Sequence, residues 1–294
     1  MARPRVTDPL APERLEPPTP GQLRRLMGAE RLRPRKSLSQ HFLTDPAALD
    51  AIVEAAELRH GDRVVEIGPG LGVLTRRLLA AGASVIAVEL DARLAEWLRR
   101  ELYGVEGFEL IEADALSIHP RDLFAGEAFK VVANIPYHIT SPLLHAFLEG
   151  DRPPELMVVL VQLEVAERVA ALPGRMSYLS VFAQNVASAE VVTRVSADSF
   201  EPSPEVDSAV LRLRRRHEPA VPVGDRREPF YRVVQAGFRQ RRKQVHNGLS
   251  RELPVSREEV TAALERCGVD GERRPQTLSI DEWACLASAL EGSL

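Results

Sequence analysis

Val64-Val65-Glu66-Ile67-Gly68-Pro69-Gly70-Leu71-Gly72 reads as a short β-strand that breaks into glycines and runs on into a helical pattern over residues 73–81. Glycines at such a corner let a bound molecule lie directly against the backbone. The spacing is G-x-G-x-G, whereas the dinucleotide fingerprint is G-x-G-x-x-G with a helix dipole on a pyrophosphate. A structural turn produces the same string, so the flanking sequence decides its meaning. Upstream, Asp45 and Pro46 open an apolar-periodic helix over residues 46–58. Downstream, residues 84–88, 108–112, 130–133 and 157–161 read as strands, and residues 91–102 as a strongly amphipathic helix. Strands alternating with helices of this length imply βαβ units and a parallel sheet. The expectation is an α/β, Rossmann-like domain over residues 35–216, with residues 206–213 closing the sheet.

Beyond Arg216 the pattern is purely helical. Ser256-x-x-Glu259 and Ser279-x-x-Glu282 are capping boxes, each opening an apolar-periodic segment, which predicts a small all-helical domain over residues 217–294. Residues 1–34, rich in Pro and Arg, read as a flexible extension with a short helix near residues 22–31.

With 45% hydrophobic and 27% charged residues, the 294-residue chain has the make-up of a soluble globular protein with one large and one small domain. No apolar run is long enough to span a bilayer. Arg3 and Arg5 are followed by prolines and charges rather than an apolar segment, so no secretory signal is expected. Cys267 and Cys285 are too few for a disulfide framework or a zinc site. Both sit in apolar helical patterns and are expected as reduced core residues of a cytoplasmic protein that holds no metal. The net charge of −4 is unevenly spread: residues 1–36 hold nine Lys/Arg against four Asp/Glu, and residues 212–251 hold twelve against three. Basic patches on an acidic body suit a polyanionic partner, although solvated helix faces give the same count.

The next two strand ends strengthen the glycine loop. Residues 85–88 stop at Glu89, where a carboxylate accepts hydrogen bonds from ribose hydroxyls; residues 111–113 stop at Asp114, where one accepts from an adenine amino group. Each could alone be a helix N-cap. In an open parallel sheet, however, all three elements fall in the crevice at the carboxyl ends of the strands. Carboxylates without a phosphate-binding Lys or Arg point to a positively charged nucleoside, which S-adenosylmethionine satisfies.

The fourth long strand ends in Asn134-Ile135-Pro136-Tyr137. Further motifs occur in order: Lys36-x-x-x-Gln40-His41-Phe42-Leu43, then Gln162-x-Glu164-Val165-Ala166-x-Arg168, Phe200-x-Pro202-x-Pro204-x-Val206-Asp207-Ser208, and Phe238-x-x-Arg241-Arg242-Lys243. With these motifs the chain resembles the rRNA adenine N6,N6-dimethyltransferase family, and within it the bacterial small-subunit (16S rRNA) branch, over residues 35–290. The resemblance implies an S-adenosylmethionine-dependent methyltransferase with 16S rRNA of the small ribosomal subunit as partner and a role in ribosome biogenesis. It implies cosubstrate contacts from Gly68, Gly70, Gly72, Glu89, Asp114, Asn134 and the backbone of Leu43. His41 stands where the family usually has Asn and Ser39 where it has Gly, so His41 either replaces that contact or leaves it to backbone groups.

The chemistry agrees. The N6 amine of adenine is a poor nucleophile because its lone pair is delocalised into the ring. The Asn134 side-chain oxygen and the Pro136 carbonyl can accept its hydrogens and aim the lone pair at a methyl group, while Tyr137 offers a stacking face. By family analogy Phe200 would cover the other face of the base. A core aromatic (Tyr137, Phe200) and a turn residue (Asn134) are the ordinary alternatives. Gln162-x-Glu164 and Asp207 read as structural.

Arg239, Arg242, Lys243 and His246 are expected at helical spacing on one face, suited to the phosphates of structured RNA. Arg31, Arg33, Arg35 and Lys36 would add charge near the pocket. Competing functions are a 23S rRNA adenine N6-methyltransferase of the macrolide-resistance type, a non-catalytic ribosome-assembly or transcription factor on the same fold, and, more remotely, DNA adenine or protein glutamine methylation. Arg241-Arg242-Lys243 and the helical C-terminal domain favour the small-subunit branch, and the intact Asn134–Tyr137 segment argues against a dead enzyme. Nothing in the sequence calls for an oligomer, so a monomer is expected.

Overall fold

Thr19 accepts from the backbone of Gln22 and Gln22 returns the bond, a capping box that starts helix α1 (Pro20–Ala29). The chain then forms β1 (Phe42–Leu43), α2 (Pro46–Ala55), β2 (Arg63–Ile67), α3 (Val73–Ala80), β3 (Ser84–Glu89), α4 (Ala92–Glu101), β4 (Phe108–Glu112) and β5 (Lys130–Asn134). There follow α5 (Thr140–Leu148), β6 (Leu156–Gln162), α6 (Leu163–Val169), α7 (Tyr178–Val186), β7 (Ala187–Val195), β8 (Phe200–Glu201) and β9 (Ser208–Arg215). Helices α8 (Arg227–Arg239), α9 (Val245–Glu252), α10 (Arg257–Arg266) and α11 (Ile280–Leu290) complete the chain. This is a computed structural model, and it describes residues 15–30, 32–35, 38–149, 153–221 and 227–294, with only the backbone of Arg121 and Arg227.

Seven strands form one sheet in the order β4-β3-β2-β5-β6-β9-β7, as an α/β fold requires. Pairs β2–β3, β3–β4, β2–β5 and β5–β6 are parallel. The near-continuous apolar runs of β2, β3 and β6 are buried, as expected where helices cover both faces of a sheet. The order runs outward from β2 to β4 and resumes at β5 on the other side of β2, which makes the β2/β5 junction the topological switch point. A separate two-stranded antiparallel ribbon joins β1 to β8, pairing Leu43 with Phe200.

Contacts divide the chain into two units: Met1–Leu163 with Val191–Arg212, and Glu164–Glu190 with Leu213–Leu294. The second unit thus includes Glu164–Glu190, which the sequence reading assigned to the first domain, and it contains α7, which no periodicity signal separated. Its core is built from α8–α11 around Trp283, Phe230 and Leu286. The two predicted capping boxes are present: Ser256 accepts from Glu259 N and Ser279 from Glu282 N, each bond being reciprocated. Among the described residues no helix is long and apolar enough to cross a membrane.

Two expectations are corrected here. The described part of the N-terminal extension is not flexible chain: α1 places Leu23 and Met27, with Leu32 after it, in the core of the first unit. The short helix expected near residues 22–31 is present as Pro20–Ala29, and its apolar side finds a hydrophobic surface that no local pattern announces. Residues 1–14 lie outside the described residues. Cys267 and Cys285 are disulfide-bonded rather than reduced. Cys267 caps α10 and Cys285 lies in α11, and packing of those helices brings their Cα atoms to 5.8 Å, within bridging range. Spacing along the chain could not reveal that approach.

If α1 is an integral part of the core, Leu23→Ala should cost about 2–5 kcal/mol of unfolding free energy. Urea denaturation measures this, and an unchanged midpoint would mean that the helix contributes nothing to the fold.

Candidate active site

At the end of β2 the chain turns through Gly68, Gly70 and Gly72 with φ of +65°, +59° and +73°. A Cβ on Gly70 would stand 2.9 Å from Phe42 Cε1, and one on Gly72 would stand 2.8 Å from Leu98 Cδ2. Backbone conformation and lack of space therefore exclude side chains at both positions, and the loop presents bare backbone to the crevice. The pocket there is lined by residues 38–43 on one side, by the glycine loop, Glu66 and Glu89 beneath, and by Asp114 and Asn134–Ile139 around the rest.

Glu89 closes β3 and is buried. Its Oε2 accepts from Gly70 N at 3.1 Å and its Oε1 from Asp91 N at 2.8 Å. It is not the N-cap of α4; Asp91 is. Burial pushes the Glu89 carboxyl up against the opposing effect of those backbone donors. Asp114 does act as a cap, its Oδ1 accepting from Leu116 N at 2.9 Å, and it also lines the pocket. Glu66, inside β2, carries no motif signal in the sequence. It is 1% exposed, one carboxylate oxygen has no hydrogen-bond partner among the described residues, and its pKa is pushed up to about 8. Burial is the main cause, nearby Glu89 adds to it, and Thr75 and Arg76 act against it.

Asn134 ends β5, and its Nδ2 donates to the His41 carbonyl at 3.0 Å. With the amide nitrogen occupied, Oδ1 is left as the acceptor. The Pro136 carbonyl accepts from Ile139 N at 3.1 Å and keeps its second lone pair. Tyr137 donates or accepts one bond with Ser208 Oγ at 2.7 Å, which fixes the ring, and burial raises its hydroxyl pKa. The His41 ring stacks on Tyr137 at 5.7 Å between centroids and 20° between planes, with Nδ1 2.7 Å from the Pro202 carbonyl. His41 thus acts through its backbone on Asn134 and through its ring on Tyr137. Leu43 is buried in β1.

The structure does not bring Phe200 to this pocket. Its side chain is 4% exposed and belongs to the hydrophobic core behind β1. An isolated Phe before a Pro-rich turn is satisfied by packing, which is what occurs. Asp207 is structural as expected: its carbonyl accepts from Leu163 N and its Oδ1 from Ala197 N.

In the second unit, the expectation of one continuous basic helical face is corrected. α8 ends at Arg239 and α9 begins at Val245, with a turn between them in which Lys243 N donates to the Gln240 carbonyl. Arg239 pairs with Glu252 at 3.3 Å, and His246 Nε2 lies 3.1 Å from Thr261 Oγ1. Arg242 and Lys243 are exposed in the turn. In the first unit, Arg35 pairs with Asp91, while Arg31 and Lys36 lie outside the described residues.

A strand-end acid, bare glycine backbone and an Asn-Ile-Pro-Tyr turn in one crevice define a site type, and similarity to known proteins assigns it. The family model described as ribosomal RNA adenine dimethylase matches residues 31–291. The chain belongs to that family. It is therefore an rRNA adenine dimethyltransferase, and the family implies S-adenosylmethionine as methyl donor. A relative called ribosomal RNA small subunit methyltransferase A, from Dehalococcoides mccartyi, is 40% identical over 90% of this chain and 91% of its own length. Among solved structures, the 23S rRNA methyltransferase ErmE is 37% identical with a TM-score of 0.69, covering 85% of this chain and 99% of its own. A dimethyladenosine transferase from Plasmodium falciparum is 27% identical with a TM-score of 0.73, covering 86% of this chain and 98% of its own.

The residues present fit a sulfonium nucleoside: backbone laid bare at Gly70, a buried acid at Glu89, and the buried, unpartnered Glu66 oxygen beside them. The Glu66 carboxyl also has a measurable consequence. Its folded-state pKa of about 8 lies above the ordinary 4.5, so the folded protein holds a proton that the unfolded chain releases first. Stability should therefore fall as pH rises from about 4.5 to about 8, by at most about 1.4 kcal/mol per pH unit. Glu66→Gln removes this contribution, so denaturation midpoints across that range should decline less steeply than in the parent. Parallel slopes would show that Glu66 is not held neutral.

Proposed function

We propose that this protein transfers methyl groups from S-adenosylmethionine to the N6 of adenine in 16S rRNA of the small ribosomal subunit, in two successive steps. The observation that carries the proposal is the Asn134 side chain, which lines the pocket beside the glycine loop with its nitrogen held by the His41 carbonyl and its oxygen left as the acceptor. The 40% identity to a small-subunit methyltransferase over nearly the whole chain supports this choice of RNA.

Glu89 and Asp114 would hold the ribose and adenine of the cosubstrate, with Gly68, Gly70, Gly72, His41 and Leu43 shaping its pocket. When bound, S-adenosylmethionine supplies an electrophilic methyl group on its sulfonium. Asn134 Oδ1 and the free lone pair of the Pro136 carbonyl accept the two amino hydrogens of the target base, which directs the nitrogen lone pair toward that methyl. Tyr137, fixed by Ser208 and stacked on His41, supports the extruded base. Phe200 would reach the base only by leaving the core. No strong general base is needed, because the methylated nitrogen sheds its proton afterwards. Positioning of this kind is worth about 7–11 kcal/mol of barrier. One N–H remains after the first transfer, and the same acceptors serve the second.

Arg242 and Lys243, exposed in the α8–α9 turn, would contact RNA phosphates. A monomer working in the cytoplasm, where ribosomal RNA is found, completes the proposal. The second reading, methylation of 23S rRNA, is favoured by the 37% identity to ErmE.

Labelled methyl transfer to unmodified small subunits, large subunits and naked DNA separates these. N6,N6-dimethyladenine in small-subunit RNA alone is expected; label in large-subunit RNA would transfer the assignment to the second reading. Asn134→Ala should lower turnover by about 100-fold or more while leaving cosubstrate affinity within a few-fold. Replacing both Arg242 and Lys243 by Ala should reduce the salt slope of RNA binding by about 2; an unchanged slope would remove them from the interface.

A further inference from the structure

Residues 38–43 form one wall of the pocket, yet β1 is only two residues long and ties that segment down at its C-terminal end alone. There, Thr44 N donates to the Ser199 carbonyl at 2.8 Å and His41 reaches the Pro202 carbonyl. The other end is held differently, by one carboxylate. Asp91 Oδ2 accepts from Gln40 Nε2 at 3.3 Å and from Arg93 Nη2 at 2.6 Å. Its Oδ1 accepts from Arg93 N and Arg93 Nε, each at 3.1 Å, and lies 3.7 Å from Arg35 Nη1. Gln40 is fastened at both ends of its amide, because its Oε1 accepts from Arg35 N at 2.8 Å. Arg93 adds a bond to the Arg33 carbonyl at 3.4 Å.

Capping α4 requires only one oxygen of Asp91. The other oxygen and the two guanidinium groups go beyond capping, and they converge on Arg33, Arg35 and Gln40. The Asp91 side chain is wholly buried, where an ionised carboxylate persists only with such partners. Burial alone would raise its pKa, but the bonds from Arg93 and Gln40 hold it below the usual range. The same residue is linked inward. Its backbone N donates to Glu89 Oε1, and Glu89 Oε2 accepts from Gly70 N. A continuous line of hydrogen bonds therefore runs from the pocket wall through Asp91 to the ribose-binding acid and the glycine loop. Asp91 itself does not line the pocket.

We infer that Asp91 is a positioning residue for the methyl donor: with Arg93 it clasps Arg33, Arg35 and Gln40 against the start of α4 and so holds the wall formed by residues 38–43 in register with Glu89. This rests on the proposal that the pocket holds S-adenosylmethionine. Neither Gln40 nor Asp91 touches the reacting atoms, so their effect is on donor binding and not on the transfer step.

The test is Asp91→Asn, which keeps a good N-cap while removing the charge that recruits Arg35 and Arg93. In the full-length protein, the KM for S-adenosylmethionine should rise about tenfold, the equivalent of one lost charge-assisted bond, with kcat at saturating donor within twofold of the parent. Amide exchange over residues 38–43 should quicken in the variant and slow again when donor is added. Arg35→Gln, which leaves the cap and α4 untouched, should shift KM in the same direction. An unchanged KM in both variants, or a fall in kcat with KM unaltered, would overturn the clasp. Failure of the parent protein to bind S-adenosylmethionine at all would instead overturn the donor assignment.

Discussion

Strands β2, β3, β4 and β5 run in the same direction, so the polar residues placed at their carboxyl ends must share one edge of the sheet. Ile67 pairs with Val88 and Glu89 with Glu112, which sets the ends of neighbouring strands level. Backbone bonds continue the register past the strands, from Gly68 N to the Val88 carbonyl and from Ala113 N to the Glu89 carbonyl. Where the strand order reverses, between β2 and β5, the connecting segments diverge and leave a crevice. Gly68 and Asn134 come from the two strands that flank that reversal, which is why a donor loop and an acceptor side chain meet there.

Three buried acids near this crevice show how far environment outweighs residue type. Asp91 is surrounded by donors from Arg93 and Gln40 and remains a stable anion. Glu89 accepts from backbone N–H groups, but burial outweighs them, so its carboxyl is pushed up. Glu66 has one oxygen unpartnered among the described residues, and burial outweighs Thr75 and Arg76 to push its pKa up to about 8. A low-dielectric site holding under-neutralised acids favours a cationic ligand over a neutral or anionic one. The same edge thus selects charge before any specific contact is made.

The Asn134–Tyr137 turn is held from outside its own strand. Asn134 is oriented by the His41 carbonyl and Tyr137 by Ser208 and the His41 ring. His41 is itself tied to Pro202. Segments far apart in the chain therefore converge on four consecutive residues, and His41 serves at a position where the family usually has Asn because its backbone and ring, rather than a side-chain amide, make the contacts seen here. In the second unit the basic residues divide by partner. Arg239 is paired with Glu252, whereas the turn at Arg242 and Lys243 stays exposed.

Sequence by itself determined the α/β alternation, nearly every strand of the sheet, the capping boxes at Ser256 and Ser279, and the strand-end residues Gly68, Glu89, Asp114 and Asn134. These are local or periodic properties: burial on two faces writes a continuous apolar run, capping writes a fixed spacing, and a sheet edge writes a polar residue at a strand end. Tertiary structure alone decided the docking of α1, the burial of Phe200, the break between α8 and α9, the Cys267–Cys285 bond and the clasp at Asp91. Each of these depends on which surfaces meet at long range, so Leu23, Phe200, Cys285 and Gln40 carry no local mark of the partner that gives them their role.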